Sequence, residues 1–234
     1  QCLVGSEMCI RDRDNNGLVD LGSRGDISVV NNGMITGEAV TTATSAQISA
    51  INAFISGSDP SGELSSVSVV NSADGVISVD TSNGARGVFV RSSSGAAIES
   101  IDILNEGTIS ISSDGLFNGR SEGIVVDVDV IEGGSSRIVN TGVLTVEGFE
   151  STGVFFQPFG TVFENSGEIN VTGRNSHAVE TLFNSGFDIT NSGAITVTGN
   201  NANAFTIGTS AFGISHELTT VTNTGSITLS GGSN

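Results

Sequence analysis

TNSGAITVTG, residues Thr190 to Gly199, restates what stands 26 residues earlier, where Glu164 to Gly173 reads ENSGEINVTG. Five more versions lie along the chain: VNNGMITG from Val30, VNSADGVISV from Val70, LNEGTISIS from Leu104, VNTGVLTVEG from Val139 and TNTGSITLSG from Thr222. Repetition of one phrase at a pitch of a few dozen residues means that one supersecondary unit recurs, each copy burying its apolar face against the next.

The Asn of each phrase is a natural origin: Asn31, Asn71, Asn105, Asn140, Asn165, Asn191 and Asn223. Two residues before it stand Val29, Val69, Ile103, Ile138, Phe163, Ile189 and Val221. Four residues after it stand Ile35, Ile109, Leu144, Ile169, Ile195 and Ile227, with Ile77 in the Asn71 copy, which carries a two-residue insertion. Six after come Ile111, Val146, Val171, Val197 and Leu229, with Val79 in the inserted copy and Gly37 as the exception. Between them lie mainly Ser, Thr, Asn and Glu. A period of two carried by β-branched residues predicts strands with one buried face, and the glycine content argues against helix.

The Gly two residues after each Asn, Gly75 after the insertion in the Asn71 copy, predicts a tight bend, because glycine accepts positive φ and Asn tolerates the left-handed region. A second phrase follows, a small residue and then an apolar one, at Gly153, Ala178 and Ala204 in the later repeats. In ARGVFV and SEGIVV it sits 16 and 18 residues after the Asn, and INAFIS places it about 22 after. Three strand-sized pieces per repeat, with variable connections, predict an all-β right-handed parallel β-helix of about seven coils, a fragment without caps. The anchor spacings of 40, 34, 35, 25, 26 and 32 residues exceed the roughly two dozen that a coil needs, so segments such as Thr41–Ala50 and Ser113–Ser121 should loop outward. Stacked at about 4.8 Å, the coils would bring each Asn onto the next and make a rod of about 35 Å.

The first residues do not repeat. CLVGSEMCIRDR, Cys2 to Arg13, holds both cysteines and resembles a translated transposase-end sequencing adapter. Residues 1–13 are therefore set aside as a non-native scar and 14–234 read as a single β-helix domain. Without Cys2 and Cys9 there is no thiol chemistry to consider, and the true N-terminus, with any signal peptide, lies outside the sequence. DRDNNG, Asp12 to Gly17, imitates the opening of a calcium loop. Its bidentate Glu position is Ser23, so an exposed turn is the better reading.

The chain has no Lys, Trp or Tyr and a formal charge of -17, which makes nucleic acid a poor partner and divalent cations the better electrostatic match. With 37% hydrophobic residues it is nevertheless rich enough for a core. No apolar run approaches a bilayer span.

The repeat N-[ST]-G-x-I-x-V-x-G, followed by the small-apolar phrase, resembles the passenger regions of bacterial autotransporters and haemagglutinin-like adhesins over Asn15 to Asn234. The resemblance implies a Gram-negative surface protein, held to the outer membrane only through a C-terminal β-barrel missing from this sequence. It implies host-surface or matrix glycans or proteins as partners, and self-association as a further one. No cofactor is expected.

Chemistry is sparse. Outward positions after N-x-G form a hydroxyl-rich wall, and its carboxylates Glu147 and Glu168 fall four residues apart, about 13 Å, too far for a glycosidase pair. Asp127 and Asp129 in VDVDVIE point to one side of a strand. They suit a divalent ion or a general acid, but a solvated outer face is preferred because Gln157 and Phe159 one coil on bring no Arg or His. His177 and His216 are the only histidines, and HEL after Ser215 lacks the second His of a zinc helix. No Gly-flanked nucleophile turn is seen. Nine of the twelve Phe lie between Phe149 and Phe212, read as an interior column; Phe155 or Phe159, if outward, would make an adhesive patch. No catalytic, cofactor or metal residue is assigned. The expectation is a non-catalytic surface stalk, with a polysaccharide-active β-helix enzyme as the alternative, disfavoured because the six arginines outside the scar look scattered.

Overall fold

The computed structural model describes residues 17–23, 26–39, 48–56, 64–93, 96, 98–114, 119–128, 130–158, 160–181, 186–208 and 219–231. Residues 1–16, Asp129, Phe159, His216 and the tips of both expected outward loops lie outside the described residues.

Twenty-one strands, β1–β21 in chain order, are described, and each of three seven-stranded sheets takes every third one. β1 (Gly17–Ser23), β2 (Ile27–Asn31) and β3 (Met34–Ala39) begin the first, second and third sheets; β19 (Asn203–Ile207), β20 (Thr220–Asn223) and β21 (Ser226–Ser230) end them. All pairings are parallel, so the chain climbs one coil for every three strands. This is the expected right-handed parallel β-helix of seven coils.

The vertical files are those the repeat demands. Leu144 pairs with Ile169, Ile169 with Ile195, and Ile195 with Ile227, while Ile35, Ile77 and Ile109 continue the file below. From Ile35 to Ile195 these side chains are at most 1% exposed. Each buried Ile or Val contributes about 1.5–3 kcal/mol of transfer free energy, repeated coil after coil. The insertion after Asn71 is absorbed before Gly75, leaving Ile77 and Val79 in register with Ile109 and Ile111.

The Asn residues form a second file. Nδ2 of Asn31 donates to Oδ1 of Asn71 at 2.8 Å, and the same bond recurs from Asn71 to Asn105, Asn140, Asn165, Asn191 and Asn223 at 2.6–2.8 Å. Backbone N–H groups at the next bend bond the Asn carbonyl below, as from Thr141 to Asn105 at 2.8 Å. Amides buried to 2% exposure or less from Asn31 to Asn191 are thus satisfied by their own copies in neighbouring coils.

Three expectations need correction. The N-x-G glycines are not in the left-handed region; positive φ belongs to Gly148, Gly173, Gly199 and Gly231 at the following bend, with Glu150, Asn175 and Asn201 two residues beyond the first three. Above the first coil, where Gly33 has open space, glycine is required in N-x-G by proximity instead: a Cβ on Gly142 would stand 2.1 Å from the carbonyl oxygen of Gly107. INAFIS is out of register by three residues. Ile48 pairs with Ala85 and Ile51 with Val88, so Ala50, not Ala53, lies beside Gly87. The strand is buried at nearly every position and carries no alternation to read. Thirdly, the interior Phe residues do not stack as a column. Phe156 meets Phe187 edge-on at 5.2 Å and Phe163 at 6.3 Å, but its partners in adjacent coils are Val126 and Thr181.

Replacing Asn140 by Ala leaves the amide of Asn105 without its acceptor and Asn165 without its donor. At about 1–3 kcal/mol per orphaned buried group, Asn140→Ala is expected to lower unfolding stability by about 2–4 kcal/mol. Asn170→Ala, on the outer wall, should stay within about 0.5 kcal/mol. Denaturant titration of both variants checks the contrast.

Candidate functional site on the outer face of the first sheet

The third sheet presents the hydroxyl wall. Thr36, Ser78, Ser110, Thr145, Asn170, Thr196 and Thr228 stand in one outward file. Glu168 pairs with Val143 and Glu147 with Thr172, so the two carboxylates stay four residues apart as expected.

The first sheet is different. The residue just before each small position forms a file of Ser49, Arg86, Glu122, Thr152, His177 and Asn203. Three residues further along the strands runs a second file, Asn52, Phe89, Val125, Phe155, Glu180 and Thr206. Strand alternation turns this second file away from the core, since its neighbours Val154 and Phe156 are fully buried core residues. Phe155 therefore does face outward, although it is 6% exposed.

Arginines and carboxylates converge here. Arg86 Nε donates to Glu122 Oε2 at 2.6 Å, and Arg120 Nη1 lies 3.8 Å from Glu122 Oε1. Arg120 Nη2 also donates to Glu180 and, at 3.1 Å, to the Thr152 hydroxyl, which itself donates to Glu180 at 3.2 Å. Glu122 and Glu180 are both buried, so their pairing with Arg120 offsets a desolvation penalty of several kcal/mol per ion. The Arg137 pairs with Asp102 and Glu164 on the second sheet lie in solvent and contribute at most about 1 kcal/mol. Coil stacking thus brings Arg86 and Arg120, far apart in sequence, together with Glu122 and Glu180, while Arg137 stays apart on the second sheet. Aligning the repeats on the small residue puts Arg86, Glu122, Thr152 and His177 in one column, a signal already present in the sequence.

Beside this network is an aromatic layer. The Arg86 guanidinium lies 4.2 Å from the centre of the Phe89 ring, and that of Arg91 lies 5.4 Å from Phe89 and 4.9 Å from Phe54. Arg91 Nε donates to Asn52 Oδ1 at 3.2 Å. Asp127 is exposed, with Arg91 in register on the coil below. Among the described residues, no group of three His, Cys, Asp or Glu gathers as metal ligands.

His177 closes the upper end of the network. Its Nδ1 is 2.7 Å from the Thr206 hydroxyl and 3.4 Å from Asn203 Nδ2. Its pKa is lowered from 6.5 first by desolvation, with Arg120 acting in the same direction and Glu180 and Glu150 opposing. Chemically the face offers guanidinium donors, carboxylate acceptors, a hydroxyl and flat apolar rings within one strip.

With its pKa depressed on folding, His177 binds a proton more readily in the unfolded chain. Its contribution to stability is complete above about pH 6.5 and lost as the pH falls through the lower folded value. The wild type should therefore lose more stability than His177→Gln between pH 7 and pH 5. Parallel thermal melts measure this, and identical slopes would contradict it.

Residues 10–184 match the family model of the BigA third pectate lyase-like domain. No curated protein and no solved structure matches the chain. The matched span takes in the first-sheet strip from Asn52 to Glu180 and most of the coil stack. The chain belongs to the family of the BigA third pectate lyase-like domain, a bacterial surface β-helix.

Proposed function

We propose that this chain is a non-catalytic, surface-exposed passenger segment of an autotransporter-like adhesin, in which the β-helix is a rigid stalk and the outer face of the first sheet is the contact surface. The observation that carries the proposal is the state of the strip. The buried carboxylates Glu122 and Glu180 are already held by Arg86, Arg120 and Thr152, an arrangement that orders a surface. Phe54 and Phe89, half-buried under arginines, supply flat area suited to sugar rings or to apolar side chains of a host protein. The family supports a bacterial surface role, and the repeat resemblance adds outer-membrane display through a C-terminal barrel.

The alternative is a polysaccharide-active enzyme. One observation favours it: two carboxylates, a hydroxyl and an imidazole gather around Arg120. Binding and turnover separate the readings. Beads carrying the chain are expected to adhere to host cells or a glycan array, with Phe89→Ala combined with Arg91→Ala reducing retention about tenfold or more. Acidic and neutral polysaccharides incubated with the chain should show no new reducing ends or unsaturated products. Turnover abolished by Glu122→Gln or Glu180→Gln would overturn the non-catalytic reading.

A further inference from the structure

Among the described residues, three arginines meet at the outer face of the first sheet, and two are committed to carboxylates: Arg86 to Glu122, and Arg120 to Glu122 and Glu180. Arg91 makes no ion pair with any described residue. Asp127 stands in register with it on the coil above, yet the Arg91 guanidinium lies instead against the coil below, 4.9 Å from the centre of the Phe54 ring. It is also 5.4 Å from the Phe89 ring of its own strand, and its Nε donates at 3.2 Å to Oδ1 of Asn52, a residue only 2% exposed. A buried amide and two rings thus fix the guanidinium. Its two Nη groups, which a carboxylate can grip as a fork, are the charged donors this face can offer a ligand.

We propose that Arg91 is the specificity-determining residue of this surface, and that its ligand is a glycan ending in a sugar with a single carboxylate, gripped by the guanidinium fork. The inference rests on the adhesive reading of the strip and names the chemistry which that strip recognises. Net charge limits the ligand to one acid. On a chain of -17, a carboxylate beside Arg91 lies within the screening length of about 8 Å of its cation, whereas every further charge of a polyanion meets only repulsion. The fold disfavours an acidic peptide: β4 (Ile48–Ile55), β7 (Ala85–Ser92) and β10 (Glu122–Asp127) are paired on both sides, so an extended chain finds no strand edge to join. A carboxylate fixed on a sugar ring also loses less rotamer freedom on binding than one on a flexible side chain. The half-buried rings of Phe54 and Phe89 give the C–H face of that sugar an apolar border. Asn52 is a positioning residue, holding the guanidinium away from Asp127.

Titration calorimetry of the full chain tests this with sialyllactose and with a glucuronosyl disaccharide, each beside its methyl ester, and with polygalacturonate and a Glu-rich peptide as further arms. At least one acidic sugar is expected to bind about tenfold or more tighter than its ester, and Arg91→Lys, which keeps the charge but loses the fork, should remove that preference with the thermal melt unchanged. Asn52→Ala, which releases the guanidinium toward Asp127, should shrink the preference, and adding Asp127→Asn should restore part of it. Host-cell adhesion that Arg91→Lys leaves undiminished, acid and ester bound equally, or tighter binding of polygalacturonate or of the peptide overturns this inference and leaves the adhesive reading standing. No adhesion to cells and no binding of any of these glycans overturns both.

Discussion

Everything in this molecule depends on the register between adjacent coils. A parallel strand slipped by one residue would turn its apolar set outward and its hydroxyls inward, so register is specified wherever one face is buried. Here it is specified twice, by apolar files and by the Asn file. An Asn one position off would lose two buried amide hydrogen bonds, one to the coil below and one to the coil above. The ladder therefore acts less as added stability than as a penalty on misalignment. Coils of 25 to 40 residues share one frame because length variation falls between the strands and outside the files.

The steric limits of the bends follow from the same stacking. At N-x-G the backbones of successive coils approach so closely that no side chain fits, as at Gly142, Gly167 and Gly193. One bend later the constraint is conformational: Gly148, Gly173 and Gly199 adopt positive φ, and Asn175 and Asn201 take the left-handed region two residues on. Two rows of glycine that look alike in sequence thus answer to different forces. At the small position, Gly123 approaches Leu144 and Gly153 approaches Ile169, so the first sheet can fold close over the floor of the third.

Most of the fold was legible because its signal is redundant: seven copies of one phrase average out local exceptions such as Gly37 and the insertion after Asn71. Errors arose where redundancy failed. Ile48–Ile55 is apolar on both faces, so no alternation marks its register and Ala50 and Ala53 look equivalent in the sequence. The first-sheet strip was harder to see, because Arg86, Arg120, Glu122 and Glu180 are separated by up to 94 residues and only Arg86 and Glu122 share one position of the repeat. Their meeting is a product of coil stacking, and Arg120 crosses from one file to another in a way that no periodicity encodes. Phe155 shows the same limit: alternation points it outward, while its low exposure reflects the three-dimensional surroundings.

The strip also explains how a chain with so few cations can order a specific surface. Its arginines stand against aromatic rings and buried carboxylates, where a guanidinium is held by both geometry and charge. The third sheet by contrast repeats hydroxyls of one kind, a surface without a distinguishing centre. Both faces inherit their spacing from the files beneath them. Spin labels placed on Ser78 and Thr228, five coil rises apart in one file, measure that spacing directly. A narrow distance distribution centred near 24 Å, within the reach of the label arms, is the predicted result. A broad distribution, or a mean far from that value, would contradict the stacked register on which the account rests.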